Sequence, residues 1–92
     1  EIPTHSGTFG NLSNINDPKA VDKIQDYFIK NNHFGIPMLM CFEALHGLYH
    51  SSATVFPQSA GLGGSFNPEN IKKMADIIGK ECRAVGIRQV HS

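Results

Sequence analysis

The chain has no excess of charge, no long apolar run and little cysteine, and each shortage removes a class of protein. Lysine and arginine number 8 against 8 aspartate and glutamate, for a net charge of zero. With no basic run either, there is no electrostatic case for nucleic acid or an anionic membrane. The apolar stretch Ile36 to Phe42 falls far short of the roughly 20 residues that span a bilayer. The chain opens on Glu1 with no initiator Met, basic n-region or apolar h-region, so no signal peptide is visible and the start reads as the inside of a longer protein. The 2 cysteines, Cys41 and Cys82, fall in an apolar strand and on an apolar helix face. They read as buried free thiols rather than a disulfide, which leaves the redox compartment open. Internal repeats and low-complexity segments are absent. A single small domain of 92 residues buries about 60–65% of the surface its unfolded chain exposes.

What is present alternates. Thr8-Phe9-Gly10-Asn11-Leu12 is short and leans apolar, as a strand does. Asp17 and Pro18 form a helix start, with Asp17 as N-cap and Pro18 at the first helical position. Val21, Ile24 and Phe28 then recur at helical period, and Asn31-Asn32 closes the helix. Ile36 to Cys41 is continuously apolar, which predicts a strand covered on both faces, as in a parallel sheet. Asn67-Pro68-Glu69 repeats the start signal. Ile71, Met74, Ala75, Ile78, Cys82 and Val85 make the stripe of a second helix, with Gly86 at its C′ position. Ile87 to Val90 begins a third strand. Strands alternating with helices imply crossover units and a parallel sheet. The first two strands start about 29 residues apart, near the ~30 per unit of an eight-fold barrel. The second interval is longer, and its excess lies between Phe42 and Phe66, directly after a strand. In a barrel that is the C-terminal face, where enzymes place their sites. Pro57, Gly61, Gly63 and Gly64 predict ordered turns in this segment.

Five words of the sequence fall together in this order: Gly35-Ile36-Pro37-Met38-Leu39-Met40-Cys41, Glu43-Ala44-Leu45-His46-Gly47, Phe56-Pro57-Gln58, Asn67-Pro68-Glu69 and Glu81-Cys82-Arg83-Ala84-Val85-Gly86-Ile87. The chain resembles the N-terminal barrel domain of glycoside hydrolase family 3 over nearly its whole length. The resemblance implies an α/β fold: residues 1–92 as part of one (β/α)8 barrel domain, holding its first three parallel strands and two connecting helices. About 250 residues close such a barrel, and this chain holds about a third of that. It is therefore expected to be a fragment, poorly soluble alone because strand edges and apolar helix faces stay open.

By the same resemblance the full-length protein is an exo-acting retaining β-glycosidase, a β-glucosidase first and a β-xylosidase second. A non-catalytic carbohydrate-binding or interaction module is the alternative of another class. Glu43 falls two positions beyond the apolar strand, where a carboxylate can accept strong charge-assisted bonds from sugar hydroxyls. The family's acidic residue at this motif position binds the terminal sugar away from the scissile bond, chiefly at its 4-hydroxyl, and that role carries onto Glu43. The family often has Asp here. Glu reaches further and is frequent among members that prefer pentosides, which keeps the xylosidase reading open. The Glu43-Ala44-Leu45-His46-Gly47 segment differs from that of members cleaving N-acetylglucosaminides.

Retaining hydrolysis needs two carboxyl groups about 5–5.5 Å apart. The resemblance implies that both the nucleophilic Asp and the acid/base lie beyond Ser92, so no catalytic residue is assigned within the chain. Glu69 suits a helix N-terminus and Glu81 lies deep in the same helix, so both read as structural. His46 and His50 have the i, i+4 spacing of some zinc sites. Gly47 between them and Ser51-Ser52 after them make a loop, and no HExxH context or third ligand accompanies them. His46 is expected at the barrel mouth, near the sugar or supporting Glu43. His33 is expected in an exposed turn, and His91 ends the third strand, from where it can face the site. Phe42 and Tyr49 can stack on a sugar, although aromatics here more often serve packing. Gly61-Leu62-Gly63-Gly64 lacks the third glycine and the preceding strand of a dinucleotide fingerprint. No cofactor is implied, because carboxylates and water run glycoside hydrolysis. The implied partners are a terminal β-linked sugar and the rest of the barrel with its C-terminal domains. An extracellular or periplasmic location is the family's habit.

Overall fold

The computed structural model describes residues 15–92 with their side chains and residues 11–13 by their backbone. The described residues form six elements in the order β1 (Asn11–Ser13), α1 (Pro18–Asn31), β2 (Leu39–Glu43), α2 (Ser59–Gly64), α3 (Pro68–Val85) and β3 (Gln89–His91). The sheet order is β1-β2-β3, and both pairings are parallel, with Leu12 opposite Met40 and Phe42 opposite Val90. Parallel neighbours need crossover connections, and the helices between successive strands supply them. Thr8 to Gly10, the beginning of the expected first strand, lie outside the described residues.

Local chemistry explains the helix ends. Asp17 accepts a bond from the Lys19 amide ahead of Pro18, satisfying one of the first orphan N–H groups of α1. Asn67 does the same for Asn70 ahead of Pro68, with Glu69 in the first turn of α3. Gly86 ends α3 in the left-handed region at φ 98°. A methyl group there would also sit 2.6 Å from Val21 Cγ1, so this glycine lets α3 close onto α1.

The apolar core lies on one side of the sheet. Val21, Ile24 and Phe28 of α1 and Ile78 and Cys82 of α3 pack with Met38, Met40, Phe42, Ala44, Leu48 and Ile87. Successive strand residues point to opposite faces, so the even positions of β2 meet the helices. Cys41 points the other way, yet it is also buried; three consecutive buried residues agree with a strand covered on both faces. Both cysteines are free and buried. Burial pushes the Cys82 thiol above its ordinary range, and the neighbouring Glu81 charge adds to the rise.

Three expectations need correction. The strand starts at Leu39, not Ile36, and runs on to Glu43. Ile36 is exposed, and the chain reaches the sheet only at Met38, where the Gln25 side chain clamps the backbone. Gln25 Oε1 accepts from the Met38 amide and Gln25 Nε2 donates to the Met38 carbonyl, both at 2.7 Å. That amide stands in for a neighbouring strand. The glycine-rich run expected as turns forms the short helix α2, a third helix beside the two anticipated. Periodicity cannot announce it, since glycine carries neither apolar signal nor helix propensity. The stripe of α3 is covered only toward its C-terminal half: Ile78 and Cys82 are buried, whereas Ile71 and Ala75 are exposed. The chain spans 49 × 21 × 17 Å with a radius of gyration of 15.6 Å. A compact domain of this length would have about 12 Å. The fold is a narrow slice of sheet backed by helices.

Candidate functional site

All three strands run the same way, so Ser13, Glu43 and His91 end them at one edge of the sheet. Glu43 is the last residue of β2, not a loop residue beyond it, and its odd position turns it to the face opposite the helices. The backbone fixes it from the neighbouring strand. Glu43 lies in register with His91, and the next amide, Ala44 N–H, donates to the His91 carbonyl at 3.0 Å.

A cleft of about 580 Å³ opens beside Glu43. Asn16, from the connection between β1 and α1, lines one side. His46, Tyr49, His50 and Val55, from the segment after β2, line the other. Asn16 Nδ2 donates to the Tyr49 carbonyl, tying the two connections together. The segment after β2 is not slack. It doubles back so that Phe56 N–H donates to the His46 carbonyl at 2.8 Å. Gly47 makes the reversal possible: its φ is 117°, and a side-chain carbon there would collide with the Thr54 carbonyl oxygen. Farther on, the Glu81 carboxylate of α3 accepts from Thr54 Oγ1 at 2.7 Å and from the Thr54 amide at 3.1 and 3.2 Å. Glu81 is thus a strut between helix and loop, as a structural reading of it expects.

Glu43 and His46 both line the cleft, but the imidazole beside the Glu43 carboxylate is His91's, with Nδ1 3.6 Å from Oε1. Sequence reasoning placed His91 at the strand end without joining it to Glu43; the register of two strands is not readable from either alone. His50 is occupied locally, its Nδ1 accepting from the Ser52 amide at 3.1 Å. That bond leaves the proton on Nε2 when the ring is neutral. Among the described residues no cluster of three or more His, Cys, Asp or Glu could hold a metal ion. His33 is exposed in a turn. Phe42 belongs to the core, whereas Tyr49 is 80% exposed at the cleft. Chemically the cleft offers a carboxylate, two imidazoles and an aromatic rim, a set that suits a polyhydroxylated ligand with one apolar face.

An open α/β sheet with its polar groups gathered past the strand ends is the arrangement of a ligand-binding α/β protein. The chain belongs to the glycosyl hydrolase family 3 N terminal domain, whose sequence profile matches residues 4–92. It is similar to a beta-xylosidase of Formosa agariphila, 38% identical over 81 residues, or 83% of this chain and 11% of the relative. It is also similar to a lysosomal beta glucosidase of Dictyostelium discoideum, 35% identical over 89 residues, or 92% of this chain and 11% of that protein. The chain thus spans about a ninth of the length of these curated relatives. A comparison with solved structures gives no significant match.

Proposed function

We propose that residues 1–92 are one continuous part of a (β/α)8 barrel domain, carrying its first three strands, in an exo-acting retaining β-glycosidase. The observation that carries this reading is Glu43. In a chain of this family, it ends a parallel strand on the face away from the helices and opens into a cleft between two strand-to-helix connections. That is where barrel enzymes gather their sites. Glu43 accepts bonds from hydroxyls of the terminal, non-reducing sugar, and His46 contacts the same sugar from the loop. The nucleophile and the acid/base come from parts of the protein beyond residue 92, as does the rest of the barrel wall. The elongated slice and the half-covered stripe of α3 support a place within a larger domain.

The substrate is a β-glucoside in the first reading. A β-xyloside is the second, favoured by the reach of Glu over Asp at position 43 and by the name of the Formosa relative. The test is turnover of aryl β-glucoside and aryl β-xyloside by the full-length protein and its Glu43→Ala and Glu43→Asp variants. Glu43→Ala is expected to lower kcat/KM by at least about 100-fold, since two charge-assisted bonds of about 1.5 kcal/mol or more each are lost from the transition state. Glu43→Asp is expected to shift preference toward the glucoside. Cleavage of neither sugar by the wild type would set the hydrolase reading aside for a non-catalytic carbohydrate-binding module.

A further inference from the structure

Three groups stand in a row across the ends of two adjacent strands. Glu43 Oε1 faces His91 Nδ1 at 3.6 Å, and the other ring nitrogen, His91 Nε2, lies 3.3 Å from the Gln89 side-chain amide nitrogen. One tautomer serves both contacts. With the proton on Nδ1, His91 carries its N–H on the ring nitrogen nearer the Glu43 carboxylate, and its bare Nε2 can accept from the Gln89 amide. The backbone holds the row in place, through the Glu43–His91 register and the Ala44 N–H to His91 carbonyl bond. The Glu43 and His91 side chains are each about half exposed, at 56% and 47%. A pair so open to water contributes little to stability, so the fold gives no reason for it.

We propose that His91 is a positioning residue for substrate binding. It engages one oxygen of Glu43, fixes the carboxylate rotamer, and leaves the second oxygen to the sugar hydroxyls. The inference rests on the reading of Glu43 as the sugar-binding carboxylate. At 3.6 Å the contact is loose, as site contacts often are before a ligand arrives. A small rotation of the carboxylate on sugar binding closes it to a hydrogen bond. A long flexible carboxylate needs such a partner more than a short one does, since fixing a side chain costs conformational entropy at each binding event.

The test is a double-mutant cycle on kcat/KM in the full-length protein with an aryl β-glycoside. His91→Leu is expected to lower kcat/KM about tenfold in the wild-type background and less than about twofold in the Glu43→Ala background, because it acts through a carboxylate that is no longer there. His91→Asn, which keeps an N–H donor near the position of Nδ1, is expected to restore most of the loss, with thermal melting unchanged in both variants. His91→Ala replaces His91→Leu if the added apolar surface impairs folding. Unchanged kinetics in His91→Leu, equal losses in the two backgrounds, or failure of His91→Asn to do better than His91→Leu would each overturn the inference. If the wild type cleaves no aryl glycoside, the proposed function fails by itself. The positioning role is then read from crystal structures: Glu43 is expected to keep its rotamer in the wild type and His91→Asn and to lose it in His91→Leu. An unmoved Glu43 in His91→Leu overturns the role.

Discussion

The two faces of β2 do different work with the same five residues. On one face Met40 and Phe42, continued by Met38 and Ala44, are buried against α1 and α3. On the other, Cys41 is buried but Leu39 and Glu43 are exposed, and Glu43 opens into the cleft. A period of two separates these roles within one residue of each other. If Glu43 is the sugar-binding carboxylate proposed above, stability and ligand contact are divisible here: a side chain lost from either face is expected to have little effect on the other. It also explains why an unbroken apolar run ends abruptly in a carboxylate. The strand is covered from Met40 to Phe42 and is open again at Glu43, where the connections part.

The sharpest way to break the comparison is Met40→Ala. Met40 is fully buried, and truncating such a residue costs roughly 2–5 kcal/mol through lost transfer energy and a residual cavity. In the full-length protein this is expected as an early urea-unfolding transition and a lower yield of soluble protein. The fraction that folds is expected to keep KM within about twofold of wild type, since the odd-numbered face is untouched. Glu43→Ala is its mirror image, with activity lost and stability moved by less than about 0.5 kcal/mol. If Met40→Ala shifts KM as strongly as stability, the two faces are coupled and the division fails.

The parts of this arrangement that sequence made legible are those written in local chemistry. Asp17-Pro18, Asn67-Pro68 and Gly86 mark helix ends because their side chains, or the lack of one, act on backbone groups within three residues. Val21, Ile24 and Phe28 are legible because burial on a helix has a period. Glu43 and His46 are legible as polar residues where an apolar run stops, and both line the cleft. What stayed hidden depends on partners distant in the chain. Ile36 is as apolar as Leu39, and the Gln25 clamp that holds the chain at Met38, one residue before the strand, comes from 13 residues earlier in the chain. The α2 helix hides in glycines. The His91 contact with Glu43 exists only once β2 and β3 are in register.

Gly47→Ala probes the point where the two roles meet. Its φ of 117° disfavours any side chain, and the new methyl would run into the Thr54 carbonyl. Because the obstacle is backbone, the loop must open rather than yield by a rotamer change. The expected cost is about 2 kcal/mol in unfolding free energy. Unlike Met40→Ala, this variant is expected to raise KM for an aryl glycoside severalfold as well, since His46 and Tyr49 flank the hinge. A variant that lost stability but bound substrate normally would show that the loop's path and the cleft are independent.

The smallest effect, and the finest measure of the division, is expected at Glu81. This residue belongs to the helix side, yet its carboxylate holds Thr54 by three contacts. Glu81→Ala leaves the Thr54 amide and hydroxyl to water, which can replace the lost partner at a half-exposed position. The expected cost is therefore only about 1 kcal/mol. It should fall on the loop rather than the core: faster amide exchange at Thr54 and Val55, with exchange in β2 unaltered. KM is expected to rise by about twofold, because Val55 lines the cleft while Glu43 is held by the strands. Faster exchange spreading into Met40 and Phe42 would mean that the strut supports the core face as well. The two faces of β2 would then share one support from α3 and could no longer be treated as separable.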